Sequence, residues 1–124
     1  MPKKVLIIED EKILSGLLDK KLKEVGYETS LAYDGEEGLE KMRGEKPDLV
    51  LLDIIMPKKG GFEVLEEIQK DESIKDVPVV IISNSGQPVE ISKALDLGVK
   101  DYLIKTQFDP KEVIDKVNKQ LGGQ

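Results

Sequence analysis

Four short apolar runs in this chain each lead straight into a residue that can do chemistry. Val5-Leu6-Ile7-Ile8 is followed by Glu9 and Asp10, Leu49 to Leu52 by Asp53, Val79 to Ile82 by Ser83, and Tyr102-Leu103-Ile104 by Lys105. Three carboxylates brought together repel one another unless a cation is present. Donors that are all oxygen suit Mg²⁺, which keeps some of its waters and leaves room for a phosphate oxygen. Lys105 adds a compact positive charge that can pair with Asp53 before reaction and with phosphoryl oxygens after it, and Ser83 adds a hydroxyl donor. This composition fits phosphoryl transfer, in which in-line positioning and charge neutralisation supply most of the catalysis. Asp53, between the acidic pair and the Lys/Ser pair, is the expected nucleophile.

Taken singly, each residue has an ordinary explanation. An Asp after a strand commonly caps a turn or helix, a Ser closes a turn, a Lys is solvated, and Tyr102 reads as a packed edge-strand aromatic. Pro57 and Gly61 read as loop punctuation. The joint occurrence of Glu9, Asp10, Asp53, Ser83 and Lys105 at strand ends, in one order, makes coincidence improbable.

Those ends converge only if the strands share a sheet. Apolar runs alternate with amphipathic stretches, giving five strands and five helices in β-α succession, the pattern of a parallel sheet covered on both faces. Val5–Ile8, Leu49–Leu52 and Val79–Ile82 are continuously apolar and read as central strands. The more polar 28–32 and the short 102–104 read as edges. Right-handed crossovers then favour the order 2-1-3-4-5 of a flavodoxin-like α/β three-layer sandwich, with ligands bound beyond the carboxyl ends of the strands.

The helices carry their own punctuation. Ile13, Leu14, Leu17, Leu18, Leu22 and Val25 fall on one face of the first, with Gly26 as terminator. Asp34 with Glu37, and Asp109 with Pro110 and Glu112, have capping-box spacing. Pro88 suits the first turn of the fourth helix, which runs to about Leu97 before Gly98.

Composition removes whole classes of function. The 124 residues fit one domain, expected over 1–121 with 122–124 as a tail. With no histidine and no cysteine, the chain has no imidazole bases, no catalytic triad and no zinc–sulfur site. A net charge of −6 is the wrong sign for gripping phosphate backbones, so no direct nucleic-acid contact is expected. No apolar run approaches the roughly 20 residues of a membrane span, and the amino terminus lacks a cleavage-site pattern, so a cytoplasmic protein without membrane contact is expected. Charged residues, at 35%, are compatible with a thermophilic source and equally with an ordinary solvated surface.

The stretches VLIIEDE, PDLVLLDIIMPKKGGFEVL, VPVVIISNSG and KDYLIKT resemble the receiver domain of two-component response regulators, over nearly the whole chain. The resemblance implies that Glu9 and Asp10 are an acidic pair for Mg²⁺, joined by Asp53 and the carbonyl of Ile55. It makes Asp53 the phosphoacceptor, Ser83 the switch hydroxyl, Lys105 the partner lysine and Tyr102 a rotating aromatic. The implied donor is a phosphohistidine on a sensor histidine kinase or a histidine phosphotransfer protein. The implied output is a change in the surface of the fourth helix, fifth strand and fifth helix, read by a downstream protein, with the domain a monomer or a phosphorylation-dependent dimer. Such a domain catalyses only its own phosphorylation and dephosphorylation. The sequence carries no DNA-binding or catalytic segment, so the domain is expected either to act through a protein partner or to be a fragment of a longer protein.

Four positions depart from the family pattern. Thr106 stands where a cis-proline usually follows the lysine, and since a cis bond would cost about 3 to 4 kcal/mol at threonine, a trans Lys105–Thr106 bond is expected. Asn84 is larger than the usual Ala or Gly and narrows access. Lys58 and Lys59 are expected to add positive potential near the site.

Three other readings share parts of the pattern. A receiver-like binding module that has lost phosphorylation draws on Asn84 and Thr106 but faces an intact set of Glu9, Asp10, Asp53 and Lys105. A haloacid-dehalogenase-type phosphatase commonly carries a second aspartate two residues after its nucleophile, where this chain has Ile55. A flavin or nucleotide binder needs a Gly- or Ser/Thr-rich phosphate loop where this chain has Glu9-Asp10-Glu11.

Overall fold

A computed structural model describes residues 2–56, 58–84, 87–105 and 109–122. Five strands and five helices alternate along it: β1 (Lys4–Ile8), α1 (Lys12–Glu24), β2 (Glu28–Ala32), α2 (Gly35–Glu45), β3 (Leu49–Asp53), α3 (Gly61–Lys70), β4 (Val79–Ser83), α4 (Pro88–Asp96), β5 (Asp101–Ile104) and α5 (Pro110–Leu121). All pairings are parallel, in the order β2-β1-β3-β4-β5. This is the expected flavodoxin-like α/β arrangement, with the polar β2 and the short β5 at the edges.

Alternation along the strands divides the core in two. Leu6, Ile8, Val50, Leu52, Val79 and Ile81 face a layer built from α2, α3 and α4. Val5, Ile7, Leu49, Leu51, Val80 and Ile82 face α1 and α5. The central strands are apolar on consecutive residues because both of their faces are covered.

Register then places the strand ends together. Ile8 lies opposite Leu52, Asp53 opposite Ile82, and Ser83 opposite Ile104, so the residues that end β1, β3, β4 and β5 meet on one rim. Asp53 and Ser83 are the last residues of their strands rather than the first beyond them.

The first helix departs from expectation. Leu18 and Leu22 are fully buried, but Ile13 is 91% exposed and Leu17 and Val25 are also exposed. The apolar stripe is wider than the strip the sheet can cover, because helical spacing fixes which residues share a face and not how far the neighbouring layer reaches.

The caps follow the sequence more closely. The Asp34 side chain accepts from the Glu37 amide at 2.8 Å, while Glu37 reaches back to the amide of Tyr33, one residue earlier than in a standard capping box. Asp109 caps α5 through the amides of Lys111 and Glu112. Gly26 and Gly98 adopt left-handed φ values of 100° and 94°, as their terminating roles require. At the far end α5 stops at Leu121, and Gly122 is left-handed.

Candidate functional site

Asp53 ends the central strand and is almost completely buried. Its backbone has a close neighbour: Gly61, at the start of α3, donates its amide to the Ile54 carbonyl at 2.7 Å, and a Cβ added there would stand 2.5 Å from the Asp53 carbonyl oxygen. Gly61 is thus more than loop punctuation, since any side chain would push α3 away from the strand end that carries Asp53.

Glu9, fully buried just beyond β1, is anchored by its amide on the Ala32 carbonyl at 3.0 Å. Its carboxylate accepts the Glu11 amide at 3.0 Å. Carboxylate oxygens of Glu9, Asp10 and Asp53 all lie within 4.8 Å of one another.

Lys105 approaches from the opposite side. Its amide donates to the Ser83 carbonyl at 2.7 Å, which fixes where its side chain departs. The ammonium, on a side chain only 7% exposed, lies 2.8 Å from Glu9 Oε1 and 3.2 Å from Asp53 Oδ2, and it also pairs with Glu11. Asp10, Glu11, Asp53, Ile55, Asn84 and Lys105 line a cleft of about 200 Å³.

The electrostatics show how crowded the acids are. Burial pushes Glu9 up to about 8, against the opposing pull of Lys105 and the Glu11 amide. Burial also raises Asp53, opposed by the Lys105 charge, by a hydrogen bond from the Glu9 carboxyl and by the Ile55 amide. Lys105 is raised, its own desolvation outweighed by Glu11, Glu9 and Asp53. One ammonium faces two buried carboxylates, and burial favours the protonated form of both, a crowding that a divalent cation would relieve.

The donor set fits such a cation. It is all oxygen, and Glu9 Oε1 is buried in an ion pair without receiving a well-directed hydrogen bond, which leaves a lone pair available.

Ser83 and Tyr102 sit differently from the rest. Ser83 is fully buried and the cleft is lined without it. The neighbouring strand β5 carries Tyr102, which packs half-buried against the core layer that contains Ala94 and Val99. Ser83 ends β4 opposite Ile104, and Tyr102 lies two residues earlier in that register, opposite Ile81.

Asn84 lines the cleft mouth as expected. The lysines after Pro57 are not among the residues that line the cleft: Lys58 pairs with Asp34 and Lys59 with Glu67 on α3. Pro57 itself and the Lys105–Thr106 bond lie outside the described residues. Glu11, which pairs with Lys105 and lines the cleft, is the one residue of this cluster that the sequence did not single out. Its only signal was its place as the third consecutive acid in Glu9-Asp10-Glu11.

The family model described as response regulator receiver domain matches residues 5–118. A probable transcriptional regulator, ycf27, of Guillardia theta is 40% identical over 95% of this chain and 45% of its own length. The chain spans less than half the length of the curated relatives it matches. Among solved structures, a CheY-like response regulator receiver domain protein from Methanospirillum hungatei JF-1 superposes with a TM-score of 0.90 at 25% identity, covering 98% of this chain and 95% of that one. The Mn²⁺-bound form of response regulator Rcp1 superposes with a TM-score of 0.79 at 32% identity, covering 94% and 89%.

Proposed function

Because the chain belongs to the response regulator receiver domain family, we propose that it is a phosphoacceptor switch in which Asp53 takes a phosphoryl group from a phosphohistidine on a partner protein. The observation that carries this reading is the convergence of Glu9, Asp10, Asp53 and Lys105 around one small cleft.

Glu9, Asp10 and Asp53, with the carbonyl of Ile55, would hold Mg²⁺; the divalent cation bound by the relative Rcp1 supports this choice of group. When bound, the ion neutralises charge on the phosphoryl oxygens. A carboxylate oxygen of Asp53 attacks phosphorus and a P–O bond forms. The P–N bond of the donor breaks, its electron pair leaving on the imidazole nitrogen, which is external because this chain has no histidine. Lys105 turns its ammonium from the carboxylates to a phosphoryl oxygen.

Ser83 then engages the phosphoryl group. Its hydroxyl turns to the phosphoryl group, and Tyr102, packed half-buried on β5, shifts its packing beside α4, which buries only Ala94. The α4-β5-α5 surface is the output face on this reading.

The donor is a sensor histidine kinase or a histidine phosphotransfer protein, and the output is a protein contact made by a monomer or by a phosphorylation-dependent dimer. The receiver unit runs to Leu121, with 122–124 as tail, and it transforms no external substrate. We place it in the cytoplasm, where such donors present their phosphohistidine. No helix among the described residues is long and apolar enough to cross a membrane.

Incubation with acetyl phosphate, with and without Mg²⁺, followed by intact-mass measurement tests the proposal. Wild type gains one phosphoryl mass only with Mg²⁺ and Asp53→Asn gains none. Equal uptake by the variant removes the acceptor assignment.

A further inference from the structure

Glu11 occupies the N-cap position of α1, where a side-chain acceptor normally satisfies one of the first free amides of a helix. It does not do so: its side chain makes no cap hydrogen bond, although its backbone is extended as a cap requires and its carbonyl accepts from Ser15. The carboxylate instead crosses the cleft mouth to the ammonium of Lys105, 94 residues away in sequence. There it shares the ammonium with Glu9 and with Asp53, whose contact at 3.2 Å is the longer of those two. Glu11 is also 55% exposed on its side chain, whereas the other two carboxylates are buried, so burial does not force it into this pairing.

We propose that Glu11 is a positioning residue that detains the Lys105 ammonium at the β1 side of the cleft, so that phosphoryl transfer to Asp53 must first break this contact. The inference rests on the phosphoacceptor reading of Asp53. A partly exposed ion pair is weak, and releasing it accelerates transfer by a small factor, about two- to five-fold.

Two substitutions separate detention from simple charge. Glu11→Gln removes both the charge and the pairing. Glu11→Asp keeps the charge, but its side chain is one methylene shorter and is a strong helix cap, so it is drawn to the amides of α1 and away from Lys105.

Initial rates of phosphoryl uptake from acetyl phosphate are measured by intact mass at saturating Mg²⁺, with the Mg²⁺ affinity of each protein determined separately by calorimetry. Both variants are expected to take up phosphate about two- to five-fold faster than wild type, with Glu11→Asp melting at or above the wild-type temperature. Acceleration in Glu11→Gln alone assigns the effect to net charge and overturns the proposal, as do unchanged or slower rates in both. If wild type itself takes up no phosphate, the underlying reading has failed, and the inference falls with it.

Discussion

The sharpest consequence of the crowded cleft concerns stability. Glu9 is fully buried and held near 8 by that burial, against an ordinary value of 4.5 in the unfolded chain. A carboxyl raised on folding favours the folded state while protonated. Its contribution is fully present below about pH 4.5 and is lost as pH rises through about 8. Integrating the difference gives a cost of about 3 kcal/mol at pH 7 and about 4 kcal/mol at pH 8, relative to pH 4. Glutamine at this position is neutral throughout, so Glu9→Gln escapes the cost. Urea unfolding of both proteins in a metal-free buffer at pH 5, 6, 7 and 8 reads it directly, and taking the difference between them cancels most of the other titrating groups. The variant is expected to be more stable at pH 8 by about 2 to 4 kcal/mol, with the gap nearly closed at pH 5. Adding Mg²⁺ at pH 8 narrows the gap by stabilising the ionised wild type more than the variant, which keeps only Asp10, Asp53 and the Ile55 carbonyl as ligands. A gap that does not change with pH, or a wild type that is the more stable protein at pH 8, would show that Lys105 compensates Glu9 fully and would refute the reasoning.

Other substitutions test the scaffold. Gly61→Ala places a methyl 2.5 Å from the Asp53 carbonyl and 2.7 Å from Ile54 Cα, and should lower unfolding free energy by about 2 to 4 kcal/mol in urea titrations. Ile13→Ala, at an exposed site, should change stability by less than about 0.5 kcal/mol, whereas Leu18→Ala one turn on should cost about 2 to 5 kcal/mol; equal losses would contradict the burial assigned to α1. Asp34→Ala removes the acceptor for the Glu37 amide and should cost about 1 kcal/mol by thermal melting.

The strands and their order were legible because burial on both faces leaves a continuous apolar run and because parallel crossovers have one hand. Asp53 and Lys105 were legible for a related reason: each ends such a run, and the topology brings those ends together. What could not be read depends on distances across the fold. Helical spacing grouped Ile13 with Leu18, but only the width of the covering layer decides which is buried. Glu11 looked like surplus acid, since its partner lies 94 residues away. Gly61 carries no sign in the sequence that it abuts the backbone of Asp53. The charge of Lys59 pointed toward the site, but its amine pairs with Glu67 on α3.

Identifying the atom that carries the phosphate tests the account at its centre. Borohydride reduces an aspartyl phosphate to homoserine, and peptide mass spectrometry then reports the residue modified after treatment with acetyl phosphate and Mg²⁺. Homoserine at position 53, absent when Mg²⁺ is withheld, is the predicted result. Homoserine at Asp10 or elsewhere, or no conversion in a protein that binds Mg²⁺, would contradict it.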